Sequence, residues 1–176
     1  MKIAISAEST IDLPKELLSL YDIHTLPYTI ILGDKEYFDG EILPEQIFKF
    51  YEDTKTLPKT SAINTIQYQE HFNSLLKEYD GVIHFCLSSE ISSSCKNAME
   101  ASSKFKNVYV VDTKSLSTGI ALQAIYASNL VKEGLDIKDV YESALKRVPY
   151  VQASFVLKKL EYLYKGGRCS ALTYFG

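Results

Sequence analysis

The order of segments along this chain predicts an α/β fold: a layered, mostly parallel sheet with helices on both faces. Three observations carry the prediction. Short apolar or β-branched runs recur ("KIAIS", "GVIHFCLS", "NVYVVD"), and stretches of helical periodicity separate them. Loops rich in hydroxyls join the ends of the runs to the helices that follow. At 176 residues and 46% hydrophobic, the chain suffices for one domain with a sizeable core, residues 1–176, and not for two.

The first strand, "KIAIS", ends in the polar turn Ala7-Glu8-Ser9-Thr10. Asp12 is expected to cap a helix, "LPKELLSLY", with Pro14 in its first turn and a stop near Asp22. "IHTLPYTIIL" is extended, and Pro27 marks an edge or an irregular strand. "GDKEYFDGE" places turn residues around a short strand. Pro44 opens the helix "PEQIFKFYEDT", with Ile47, Phe48 and Tyr51 on one face. Past the loop "KTLPKTSAIN", the stretch "TIQYQEHFNSLLKEY" has the i, i+3, i+4 spacing of an amphipathic helix.

"GVIHFCLS" is apolar almost throughout, as expected for a strand buried on both faces. "SSSCKNAMEASSKF" reads as a helix of small residues and "NVYVVD" as a strand. "SLSTGIALQAIYASNLVKEG" is a long helix stopped at Gly134. "DIKDVYESALKRV" is another helix, "YVQASFVL" a final strand, and "KKLEYLYKGG" a helix ended by Gly166-Gly167.

Composition excludes several function classes. Lys and Arg number 19 against 22 Asp and Glu, a net charge of -3, and Lys158-Lys159 is the densest basic run. That is no footprint for nucleic acid. Three cysteines (Cys86, Cys95, Cys169) without a C-x-x-C pair, and three scattered histidines (His24, His71, His84), spell no zinc spacing and no disulfide framework. This suits a reducing cytoplasm. The opening "MKIAIS" enters a strand at once, leaving no room for a signal peptide, and no apolar run reaches the roughly 18–20 residues of a membrane span. A soluble, cytoplasmic protein is expected.

In parallel sheets, ligands bind where strands end and loops lead into helices. Three hydroxyl-bearing loops lie there: Ser6–Thr10, Thr60–Asn64 and Ser88–Ser94. One hydroxyl per loop is accounted for by helix capping. Ser88, Ser89, Ser92, Ser93 and Ser94 exceed the capping positions available, and a helix N-terminus suits a carboxylate or phosphate. Capping and anion binding both remain open from spacing alone.

Ser93 and Lys96 also form S-x-x-K, the spacing of Ser–Lys acylating enzymes. The companion motifs S-D-N and K-T-G are absent, as are G-x-S-x-G, G-x-G-x-x-G and the P-loop. Asp112, at a strand end, reads as a cap for the next loop, and His84 as a hydrogen-bonded core histidine.

Four stretches together resemble the DegV family of bacterial fatty-acid-binding proteins. "AESTIDLP" looks like the family's D-S-T-x-D-L-P, with Glu8 where aspartate is usual. "LPKTSAIN" matches its threonine–serine loop at Thr60 and Ser61. "LSSEISSSCKNA" stands where the family has S-S-x-L-S-G-T-Y-x-x-A, and "LEYLYKGGRCS" matches L-x-Y-L-x-x-G-G-R-I-S.

The resemblance implies a carrier without cofactor or catalysis of its own, holding a long-chain fatty acid by its tail in an apolar tunnel. Some family members present the acid to a separate ATP-dependent fatty acid kinase. By position, the carboxylate ligands implied are Thr60, Ser61, Ser92 and Ser93, with Arg168 near the mouth of the site. The alternatives are a Ser–Lys hydrolase built on Ser93 and Lys96, and a non-catalytic interaction domain with a vestigial cleft.

Two departures stand out. Ser93 replaces the family glycine, adding a side chain where backbone usually approaches the ligand. The chain also stops at "ALTYFG", where family members continue into a second domain that closes the tunnel. With Leu172, Tyr174 and Phe175 at its apolar end, it is expected to be an N-terminal domain or fragment, or to pair with another copy as a homo-oligomer.

Overall fold

The computed structural model describes residues 1–170. The apolar end at Leu172, Tyr174 and Phe175 lies outside them. In chain order the elements are β1 (Ile3–Glu8), a 3-10 turn (Ser9–Ile11), α1 (Lys15–Tyr21), β2 (Ile23–Leu26), β3 (Thr29–Leu32), β4 (Lys35–Phe38) and α2 (Pro44–Thr54). There follow β5 (Lys59–Ser61), α3 (Thr65–Leu75), β6 (Gly81–Cys86), α4 (Ser94–Ser102) and β7 (Val108–Asp112). The last described elements are α5 (Thr118–Lys132), α6 (Ile137–Arg147), a 3-10 turn (Val148–Tyr150) and α7 (Glu161–Lys165).

A four-stranded, all-parallel sheet of order β2-β1-β6-β7 forms the centre, as the alternation of strands and helices predicts. The unbroken apolar runs of β1 and β6 are buried along their whole length because helices cover both faces. On one face, Ser6, Glu8 and His84 meet α3 through hydrogen or ring contacts with His71 and Tyr68. On the other, Gly81 packs so closely on Ile137 of α6 that a Cβ there would overlap it. The core clusters Phe72, Phe85, Ile83, Val111 and Ile120 about this sheet.

Beside the parallel sheet that the fold class predicts stands a second, three-stranded antiparallel sheet of order β4-β3-β5. Pro27 divides the extended stretch "IHTLPYTIIL": β2 ends before it as an edge strand of the parallel sheet, and β3 begins after it in the other. Proline lacks the N–H a continuing ladder would need. Gly33, at φ 64°, supplies the left-handed position of the tight β3–β4 turn. The loop "KTLPKTSAIN" contains β5, whose Thr60 pairs with Ile30.

Two expectations are corrected. Asp12 does not cap α1; it takes a left-handed conformation (φ 54°) and closes the preceding 3-10 turn through its N–H to Ser9 O, while Pro14 leads α1. The stretch "YVQASFVL" forms no strand. β7 remains the sheet edge, paired only with β6; the segment does not add to it, and Val156 is left 98% exposed. The closing helix shortens to the five residues of α7.

Candidate functional site

A cleft of about 370 Å³ opens between the antiparallel sheet and the loops that follow β1 and β6. Ile30, Leu87, Ile91 and Leu163 give it apolar walls. Thr10, Tyr28, Thr60 and Ser92 bring hydroxyls, and Arg168 and Asp39 bring charges. Its size falls within the range of small-molecule sites. Two neighbouring hollows share Arg168 with it, one beside Thr60 and Tyr162, the other beside Glu90 and Cys169.

Local structure explains which hydroxyls reach the cleft. Thr60 and Ile30 are register partners on β5 and β3 and line the cleft together. Side chains alternate along a strand, so Ser61, the partner of Thr29, is directed to the opposite face and is exposed. Capping of α3 falls to Asn64, which accepts from Gln67 N–H at 2.9 Å while its own N–H donates to Gln67 Oε1 at 2.9 Å. Thr60 is thereby free of a capping role.

The serine loop divides its work. Ser88 Oγ accepts from Glu90 N–H in a local turn, and Ser89 Oγ accepts from Lys114 Nζ at 2.8 Å. Ser93 occupies the N-cap of α4, exposed, with no side-chain cap bond, and does not line the cleft. Its φ of -74° and ψ of -7° suit any residue, so the position does not demand glycine. Ser92 and buried Ser94 lie 3.0 Å apart, Oγ to Oγ. The Tyr28 hydroxyl donates to Ser94 Oγ at 2.5 Å and lies 3.1 Å from Ser92 Oγ. Burial pushes the Tyr28 phenol up to about 12, with the Glu8 charge adding to it, so Tyr28 stays a neutral donor.

The structure thus gathers Thr60, Ser92 and Arg168 around one cleft and leaves Ser61 and Ser93 outside its lining. Ser93 and Lys96 are both exposed, and among the described residues no hydrogen bond joins them. Asp112 does cap the next loop, accepting from Ser89 and Lys114 N–H groups at 3.2 Å each.

Sequence reasoning passes over Tyr28, and it places Thr10 and Ser94 in hydroxyl-bearing loops without giving either a role. Tyr28 reads from the sequence only as a β-strand aromatic; its signal is the proline before it, where the chain passes from the parallel to the antiparallel sheet. Thr10 Oγ1 is buried at the cleft wall, near the Glu8 carboxyl. Ser94 hides within the serine run.

Beneath the cleft, on the α3-facing side of the parallel sheet, lies a buried polar cluster. Glu8 accepts from the Tyr68 hydroxyl and from Leu87 N–H, each at 2.5 Å. Burial outweighs these bonds and raises its carboxyl to about 7. Ser6 Oγ lies between His71 Nε2 (2.7 Å) and His84 Nδ1 (2.9 Å). His84 is therefore the hydrogen-bonded core histidine expected, and burial holds both rings well below the usual imidazole range, His71 at about 4.

Among the described residues, no helix is long and apolar enough to cross a membrane. A family model described as "Uncharacterised protein, DegV family" matches residues 2–175. A DegV domain-containing protein of Caldanaerobacter subterraneus is 31% identical over 172 residues, 96% of this chain and 61% of that protein. A fatty acid-binding protein of Thermotoga maritima is 32% identical over 177 residues, 97% of this chain and 62% of that protein. The solved structure of DegV from Bacillus subtilis, described as a fatty acid binding protein, superposes with a TM-score of 0.87 at 28% identity, covering 96% of this chain and 61% of that one. The chain thus spans about three-fifths of the length of these relatives. By the match along nearly its whole length and by its fold, the chain belongs to the DegV family.

Proposed function

We propose that this chain is a fatty-acid-binding module that holds a long-chain carboxylate in the cleft between β3–β5 and the loop before α4. The observation that carries the reading is the convergence of Thr60, Ser92 and the buried Thr10 hydroxyl on a cleft walled by Ile30, Leu87, Ile91 and Leu163. Hydroxyls set against an apolar wall match a ligand with one polar end and a hydrocarbon body. Arg168 at the same cleft supplies the one cation in its lining, suited to a carboxylate. Each buried methylene of the tail contributes about 0.8 kcal/mol, so the tail supplies most of the affinity and the hydroxyls orient the head group.

In this reading the protein works in the cytoplasm as a carrier without catalysis of its own, presenting the head group to a separate ATP-dependent kinase. The fatty-acid-binding relatives in Thermotoga maritima and Bacillus subtilis support the binding part of this reading. The Ser–Lys hydrolase reading loses support because Ser93 and Lys96 are exposed and, among the described residues, no hydrogen bond joins them.

The test is mass spectrometry of an organic extract of the purified protein, joined to titration with a fluorescent fatty acid. A co-purifying fatty acid and saturable binding are expected, and Thr60→Val with Ser92→Ala should weaken binding by about tenfold, the loss of two modest hydrogen bonds. A protein that is free of lipid and does not bind the probe would sink the reading. Fluorophosphonate labelling at Ser93 would replace it with the hydrolase.

A further inference from the structure

The spacing of cysteines and histidines spells no metal motif, yet the fold brings three metal-ligating side chains together. Glu8, His84 and Cys86 each place a ligand atom within 4.8 Å of the others, and all three are buried. The convergence follows from the sheet. His84 and Cys86 are two residues apart on β6 and so share a face. Glu8 ends β1, which pairs in parallel with β6, Ala7 lying opposite Phe85. An apolar core would be expected on this face beneath α3 and α4. Three potential ligands stand there instead.

The second observation is an orphan. His84 Nε2 is buried without a hydrogen-bond partner, although its other nitrogen is held by Ser6 at 2.9 Å. Metal binding at Nε2 calls for the tautomer in which Nδ1–H donates to Ser6 Oγ and the Ser6 O–H donates to His71 Nε2, and the contacts of 2.9 and 2.7 Å accommodate it. This is the outer-shell arrangement that orients histidine ligands in metalloproteins. The Tyr68 O–H performs the corresponding service for Glu8, donating to Oε1 and leaving the carboxylate as a pure acceptor. Cys95, buried on α4, lies against Cys86 and adds a neighbouring thiol.

Charge gives a third argument. Among the described residues, no lysine or arginine forms an ion pair with Glu8. A buried carboxylate with no cation is costly. One divalent cation with ionised Glu8, ionised Cys86 and neutral His84 sums to zero.

We propose that Glu8, His84 and Cys86 form a buried site for a single zinc-class divalent ion, held through a Glu8 carboxylate oxygen, His84 Nε2 and Cys86 Sγ. The mixed O, N and S donor set suits zinc or cobalt and disfavours calcium and magnesium, which take oxygen ligands. Binding displaces the Cys86 thiol proton, and the Glu8 proton where present, to solvent; no electron moves. Because the site is enclosed, it fills as the chain folds. The role is structural, tying β1 to β6 directly below the cleft, and is independent of the lipid reading.

The test uses full-length protein expressed in medium supplemented with zinc or with cobalt and purified without chelators. Elemental analysis should find about one ion per chain. The cobalt form should show a thiolate-to-cobalt charge-transfer band in the near ultraviolet. Cys86→Ala should abolish the band, and Cys169→Ala, at the half-exposed cysteine, should leave it intact. Ser6→Ala should weaken zinc affinity about 10–100-fold through loss of ring orientation. Should Cys86→Ala not fold, His84→Gln is read in its place. Metal content below about 0.1 ion per chain in both preparations overturns the proposal. So does a charge-transfer band that survives Cys86→Ala, or a zinc content that His84→Gln leaves unchanged.

Discussion

The two sheets are buried to different degrees. Every residue of β1 and β6 is buried, whereas every residue of β3 is half-buried and all three of β5 are exposed. Helices cover both faces of the parallel sheet, while the antiparallel sheet turns Ile30 and Thr60 into an open cleft. The difference separates labour: the parallel sheet supplies the stability, and the antiparallel one supplies a wall whose apolar cover is left to a ligand. Substitutions in the two sheets should therefore register in different measurements.

The largest effect is expected in the parallel layer. Phe72, fully buried on α3 against His84 and Phe105, should cost about 3–5 kcal/mol when replaced by alanine, read from the denaturant midpoint. Ile30→Ala, on the cleft wall, should cost about 1 kcal/mol or less and should instead weaken fatty-acid affinity. Equal losses of stability at the two positions would break the distinction between the sheets.

The polar underside of the parallel sheet gives the next effect. Burial, with a smaller repulsion from His24, lowers His71 to about 4, against a usual 6.5. The unfolded chain then takes up the proton first. The contribution of His71 to stability is full above about pH 6.5, declines as pH falls, and is gone below about pH 4, a span of about 3 kcal/mol. His84 faces it across Ser6 and shifts in the same direction. Glu8, also on this face, is raised to about 7 and acts with opposite sign, its contribution fading as pH rises through that value. Subtracting the stability profile of His71→Gln from that of the parent, both metal-free, isolates His71. A flat difference between pH 6.5 and 4 would remove the claim.

How much of this was legible in the sequence follows from where each signal lives. The parallel strands announce themselves because "GVIHFCLS" and "KIAIS" are buried on both faces and so are apolar without alternation. β5 was unreadable: three exposed residues, Lys59-Thr60-Ser61, carry no hydrophobic period, and only pairing with β3 makes them a strand. The opposite error, "YVQASFVL", has strand-forming residues yet pairs with no strand, although the outer edge of β7 is open: propensity alone does not make a ladder. Of the expected ligand residues, Thr60, Ser92 and Arg168 meet at one cleft. Ser61 departs through strand alternation, a period of two that a motif match does not see. The Glu8–His84–Cys86 cluster was hidden because its members lie on different strands, Glu8 76 positions before His84, and only register brings them together.

A smaller effect is expected at the hydroxyl bridge between the sheets. Tyr28, one residue past Pro27, is bonded to Ser92 and Ser94 on the far side of the cleft. Tyr28→Phe keeps the ring and deletes those bonds, for a loss of about 1 kcal/mol in stability. Ser94 retains the Ile63 N–H as donor at 3.3 Å, which limits the damage. The informative readout is fatty-acid affinity. A several-fold change with little change in unfolding would make Tyr28 part of the head-group contact, and an unchanged affinity would confine it to bracing the two walls.

The smallest effect is expected where the chain departs most visibly from its family. Ser93 stands at the position of the family glycine, a substitution that would strain the backbone if φ were positive. It is not: φ is -74°, in the right-handed region open to every residue. The side chain is exposed and caps nothing, so it neither closes the cleft nor holds α4. Ser93→Gly should alter stability by no more than about 0.5 kcal/mol and leave fatty-acid affinity unchanged, since Ser92 and Ser94, on either side, carry the contacts that face Tyr28. A clear gain in affinity from Ser93→Gly would mean that the ligand approaches the α4 N-terminus through backbone rather than through Ser92, and would move the head group out of the Thr60–Ser92 cleft toward the helix end.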